Sequence, residues 1–154
     1  MSTRASIRRH PIHPMLIVFP LGLWFFAIVC YTIYVLSDVP TWRTVSLYAM
    51  GGGIIGGIVA AIPGVIDFLT LGESRVQTIA LAHMISNIVA LTIFVIALAL
   101  AVFWEGHTLA PLVLGVFGLL AVSTGGWLGG ALVYEHGVGV EHRQPQEVAE
   151  PLHV

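Results

Sequence analysis

Four apolar stretches, each of bilayer-spanning length, divide this chain, and polar residues gather in the joints between them and at the two ends. A transmembrane helix needs roughly 20 mostly apolar residues. The stretches run about Pro14 to Leu36, Val45 to Leu71, Val76 to Phe103 and Leu109 to Tyr134, joined by SDVPTWRT, GESR and WEGHT. Joints this short make consecutive helices antiparallel neighbours. The expected fold is an all-α membrane protein, an up-down-up-down bundle of four transmembrane helices. It divides into an N-terminal segment over residues 1–13, a transmembrane domain over 14–138 and a mobile polar tail over 139–154.

Composition agrees with a lipid environment. Of 154 residues, 57% are hydrophobic and 9% charged, against about 25% charged in a soluble domain. No basic and aromatic residues cluster as a nucleic-acid groove would require, so no nucleic-acid partner is expected. The single Cys30 excludes an internal disulfide and a CxxC motif, and reads as a small buried hydrophobe. The first stretch is too long for a signal peptide and no small-x-small cleavage site follows it, so it is expected to be retained. All six basic residues are arginine. In a four-span topology Arg4, Arg8, Arg9, Arg75 and Arg143 fall on one side and Arg43 on the other, which places both termini in the cytoplasm of a bacterial inner membrane.

That topology gathers scattered polar residues at one end of the bundle. His10 and His13 precede the first helix in HPIHP, Asp67 ends the second, His83 lies about two turns into the third, and Glu135 with His136 closes the fourth. Asn87 stands four residues after His83, on the same helix face. Ionisable residues at the edge of hydrocarbon mark functional sites by default. Each also has a plainer reading. His83 can hydrogen-bond Asn87, HPIHP can be an extended interfacial anchor ahead of a helix starting at Pro14, and His136 before Gly137 reads as a helix C-terminus. Asp67, between Ile66 and Phe68, is a helix-end acid in water or the carboxylate that orients a ligand histidine.

Glycines and an internal echo complete the pattern. GGGIIGG at 51–57 and GGWLGG at 125–130 contain Gly53 with Gly57 and Gly126 with Gly130, spacings that let helices approach in lipid or leave room for a flat cofactor. Both halves carry a histidine near the start of the first helix and an acid at the end of the second, His13 with Asp67 and His83 with Glu135. The expected relation is a parallel repeat about an axis along the membrane normal. Pro20 and Pro63 are expected to bend their helices or free backbone carbonyls.

Together HPIHPMLIVFPLGLW, PGVIDF, HMISN and GGWLGGALVYEHGVGV resemble a bacterial family of four-helix membrane proteins, domain of unknown function 2231, over roughly residues 10–140. The resemblance implies kinship with small membrane cytochromes and an association with c-type cytochrome or Rieske partners. By motif it carries over to His10, His13, Asp67, His83, Asn87 and His136. This chain has no CxxCH motif or Rieske cysteines, so such a partner is a separate polypeptide.

Three functions follow. In the first, two histidines from different helices bind haem b iron: His83 with His13 or His136, with Arg8 or Arg9 pairing the propionates. In the second, His10, His13, His83 and His136, with Asn87 and either Asp67 or Glu135, hold a Zn, Fe or Cu ion. In the third, a non-enzymatic subunit uses these residues to tie helix ends together or to dock a partner, a second copy of the chain included. No reaction or catalytic residue is legible.

Overall fold

A computed structural model describes residues 5–8, 10–72, 75–104 and 109–140. A two-stranded hairpin, β1 (Ser6–Ile7) and β2 (His10–Pro11), leads into a short helix α1 (Ile12–Leu16). Four long helices follow: α2 (Val18–Ser37), α3 (Pro40–Phe68), α4 (Arg75–Phe103) and α5 (Leu109–Tyr134). The stretches Ile12–Ser37, Pro40–Phe68, Arg75–Phe103 and Leu109–Tyr134 are all long and apolar enough to cross a membrane. The all-α, four-span expectation holds. Residues 141–154 of the expected tail lie outside the described residues.

Local chemistry explains where the helices begin and break. Asp38 takes the left-handed conformation, φ 54°, and its N–H returns to the Tyr34 carbonyl, ending α2. Pro40 then opens α3, where its missing N–H is one of the donors that has no helical partner anyway. The same reasoning revises the N-terminus. The first helix starts at Ile12 rather than Pro14, so only the first part of HPIHP is extended and His13 is already helical. Pro14 costs nothing there, since first-turn amides go unpaired. Pro20 cannot donate to the Leu16 carbonyl, and the helix is interrupted at Ile17, between α1 and α2. Pro63 sits inside a continuous α3.

The core residues of the two helical hairpins can be aligned position by position. Buried Pro20, Trp24, Ala27 and Tyr31 of the first correspond to buried Ala90, Phe94, Ala97 and Ala101 of the second, 70 positions on. Ser46, Met50, Gly53 and Ala60 correspond to Pro111, Gly115, Gly118 and Gly125, 65 positions on. Trp24 and Phe94 stack on each other across the centre, ring centroids 4.3 Å apart and 8° from parallel. Each ring also lies on the matching glycine of its own hairpin: a Cβ on Gly53 would overlap the indole, and one on Gly118 would come 2.8 Å from Phe94 Cε2. Lipid supplies no hydrophobic drive between helices, so contacts of this closeness are what hold them.

The register that aligns the core residues is not the one that the terminal acids suggest. In the register of the core, Asp67 faces the place of Leu132 and Glu135 the place of Thr70, so the acids are unrelated. The glycine pairing changes too. Gly126 and Gly130 meet nothing within 4 Å, and it is Gly125 and Gly129 that face inward.

Candidate functional site

At the end of the bundle beneath the N-terminal hairpin, His13 of α1 and His83 of α4 bring their imidazoles to 5.9 Å, centroid to centroid, with ring planes at 85°. They correspond under the repeat, and each is tied to its own hairpin in the same way. His13 Nδ1 donates to the Ala60 carbonyl of α3 at 2.7 Å, and His83 Nδ1 donates to the Gly125 carbonyl of α5 at 2.7 Å. A carbonyl can only accept, so Nδ1 carries a hydrogen in both rings, and in the neutral form of the ring Nε2 is the acceptor.

One turn beyond each carbonyl stands a glycine that makes room for the ring. A Cβ on Gly64 would lie 2.9 Å from His13 Nδ1, and one on Gly129 would lie 3.0 Å from His83 Cε1. Four positions thus build the two half-sites: Ala60 with Gly64, and Gly125 with Gly129.

Asn87 distinguishes the halves. Its Nδ2 donates to the His83 carbonyl at 2.8 Å and lies 3.2 Å from Nε2 and 3.4 Å from Nδ1 of the same ring. A donor aligned with one ring nitrogen in the plane of the imidazole would be far from the other. Near-equal distances put the amide over the ring face, a weak N–H···π contact that leaves the Nε2 lone pair unused. Gly125 seats the amide, since a Cβ there would come 2.8 Å from Nδ2. Nearby, Ser86 Oγ donates to the Ala121 carbonyl at 2.8 Å, a second tie between α4 and α5.

The remaining candidates stand apart from this pair. Asp67 Oδ1 accepts the backbone N–H of Ala5 at 2.9 Å, and the Ile12 N–H reaches the Ala5 carbonyl, also at 2.9 Å, so the acid clamps the N-terminal hairpin onto α3. His10 is exposed and its Nδ1 donates to the Arg8 carbonyl at 3.0 Å. Arg8 forms the exposed turn between β1 and β2, at φ 48°, while Arg9 lies outside the described residues. Glu135 is exposed, and half-buried His136 belongs to the end of α5, where Gly137, φ 64°, and Val138 donate to the Val133 and Leu132 carbonyls. Among the described residues, no three His, Cys, Asp or Glu side chains come together as a metal-binding group. The expected seven-residue cluster is therefore divided among a histidine pair with its asparagine, an acid clamp, an exposed hairpin histidine and a helix end. Sequence reasoning missed Ala60, Gly64 and Gly129, which act through a carbonyl or through the lack of a side chain.

No curated protein and no solved structure matches the chain. Residues 9–142 match the family described as predicted membrane protein DUF2231. Four apolar helices and a match over most of the length lead to one conclusion: the chain is a multi-pass membrane protein and belongs to the DUF2231 family.

Proposed function

We propose that His13 and His83 are the two protein ligands of a metal centre, haem b iron first, through which the protein serves a redox role in the membrane. The observation that carries this reading is the paired anchoring: each Nδ1–H is spent on a backbone carbonyl of its own hairpin, and each Nε2 is left without an in-plane donor among the described residues. Ligand histidines are oriented in this way by a carbonyl on the other nitrogen.

Donor number and charge bear on the occupant. His13 and His83, whose ring centres lie 5.9 Å apart, would be the residues that hold the group. Structural zinc takes four protein ligands and catalytic zinc three, and no such group of His, Cys, Asp or Glu forms here among the described residues. A bare divalent ion on two neutral imidazoles would also keep its full charge in low dielectric, at a cost of several kcal/mol or more. Haem brings four nitrogens and compensating charge of its own, and monovalent copper accepts two ligands, so these are the occupants that suit the donor set. When bound, haem supplies one-electron transfer. The chain positions its two ligands and offers Arg8 at the same end for the propionates. We place this end in the cytoplasm of a bacterial inner membrane on the arginine distribution, with a c-type cytochrome or Rieske-type protein as a separate redox partner.

The optical spectrum and metal content of the detergent-purified protein test this. A Soret band with sharp α and β bands after dithionite supports haem; a colourless sample with stoichiometric copper supports the ion. Material that holds neither, even after haemin or copper(I) is added, sinks the reading and leaves the pair as a hydrogen-bonded tie within each hairpin.

A further inference from the structure

The two histidines are anchored alike but carried by very different backbone. His83 lies inside the 29-residue α4, flanked on both sides by unbroken helix. His13 lies in the five-residue α1, which contributes no buried residue and ends at the interruption before α2. The place corresponding to Asn87, which lies over the His83 ring, is held by Ile17, the residue at that interruption. No amide therefore covers His13 from the first repeat.

Moving either ring costs different amounts. Withdrawing His83 means opening α4 in lipid, where unpaired backbone groups find no water to bond. Withdrawing His13 with α1 breaks its bond to the Ala60 carbonyl, the bond from the Ile17 N–H to the His13 carbonyl and, if the hairpin lifts as well, the Ala5–Asp67 bond. The helical ladder between α1 and α2 is already short of one bond, since Pro20 has no N–H for Leu16.

We infer that the histidines are unequal ligands: His83 is the permanent one, and His13 is exchangeable, leaving with α1 and the β1–β2 hairpin to open one coordination position to a small neutral donor. The inference rests on the metal-centre reading above. Asn87 is then a positioning residue, holding the His83 ring in the orientation that Gly125 and Gly129 define.

The test uses the full-length protein in detergent, titrated with haemin. His13→Ala is expected to keep haem, with its spectrum changed from six-coordinate low-spin to five-coordinate high-spin and returned to low-spin by added imidazole. His83→Ala is expected to lose affinity by about tenfold or more, the scale on which site-supporting residues act, with occupancy not restored by imidazole. Two variants that keep both histidines guard against a folding defect: Asn87→Leu is expected to weaken retention roughly tenfold, and Ile17→Ala to leave it unchanged. If the two alanine variants behave alike, or if Ile17→Ala matches Asn87→Leu, the inequality is overturned while the metal centre stands. If the wild type binds no haemin, and copper(I) in a parallel titration also fails, the metal centre itself falls.

Discussion

Ala60 and Gly125 do the same work in the two hairpins: each gives its backbone carbonyl to the Nδ1–H of a histidine at 2.7 Å, and each is followed one turn later by a glycine against the imidazole. The site is thus a product of the repeat. Two like half-sites face each other where the hairpins meet, and the Trp24–Phe94 stack marks the same relation deeper in the bundle.

Filling the ring pockets separates the half-sites from the rest of the fold. Gly64→Val and Gly129→Val place carbon where His13 or His83 now lies. Each is expected to cost about 1–3 kcal/mol, as overpacking does, and to displace the imidazole from its carbonyl. Thermal unfolding in detergent measures the first effect. The histidine Nδ1–H proton resonance measures the second, and its persistence in both variants would count against the anchoring described here. Gly126→Val, which faces open space, is expected to be near neutral in both.

How much of this was legible depends on what apolar helices reveal. The four spans were plain from length and hydropathy. Hydropathy starts the second span at Val45, five residues after Pro40 opens α3, because Thr41, Arg43 and Thr44 interrupt the apolar run. Topology could say which end of the bundle a residue occupies. It could not say which way the residue points, since helices that are apolar all round carry no stripe to orient them. His13, His83 and Asn87 were therefore found together with His10, Asp67, Glu135 and His136, which share their end but not their direction. The repeat was visible in its histidines and misaligned in its acids and glycines, because the matching signal lies in small residues spread through the helices, Gly53 with Gly118 and Ala60 with Gly125.

The central stack predicts a contrast at Trp24. The indole is buried, yet its Nε1 finds no acceptor among the described residues. Leaving a buried donor unpaired costs about 1–3 kcal/mol, which offsets part of the packing that the larger ring supplies. Trp24→Phe is expected to be close to neutral, and Trp24→Ala to cost about 3–5 kcal/mol. Reversible unfolding in mixed detergent reads both; a Trp24→Phe as damaging as the alanine variant would mean that the indole nitrogen is satisfied.

Ser46 offers a cleaner measure of a single polar contact in this bundle. Its fully buried hydroxyl donates to the Ala27 carbonyl at 2.7 Å, joining α3 to α2. Interhelical hydrogen bonds in membranes average about 0.6 kcal/mol and reach about 1.7. Ser46→Ala is expected to fall in that range, and Ser46→Val to cost more because it adds bulk at a fully buried position. The same unfolding assay separates the two, and an alanine variant as stable as the wild type would show the bond to be energetically silent.

Asp67 is the acid whose assigned role differs most between its local sequence and its place in the fold. Set in an apolar helix end, it resembles a ligand-orienting carboxylate; in the structure it holds the N–H of Ala5 and with it the hairpin that lies over the histidine end. Asp67→Ala is expected to free that hairpin, raising hydrogen exchange at the Ala5 and Ile12 amides, while the four long helices, which do not depend on it, unfold within about 0.5 kcal/mol of the wild type as surface changes do. Asp67→Asn keeps an oxygen acceptor and is expected to retain most of the protection. Mass-spectrometric exchange on the N-terminal peptide decides between the roles. Unchanged exchange in Asp67→Ala, combined with altered haem or copper binding, would return the acid to the metal site and remove it from the clamp.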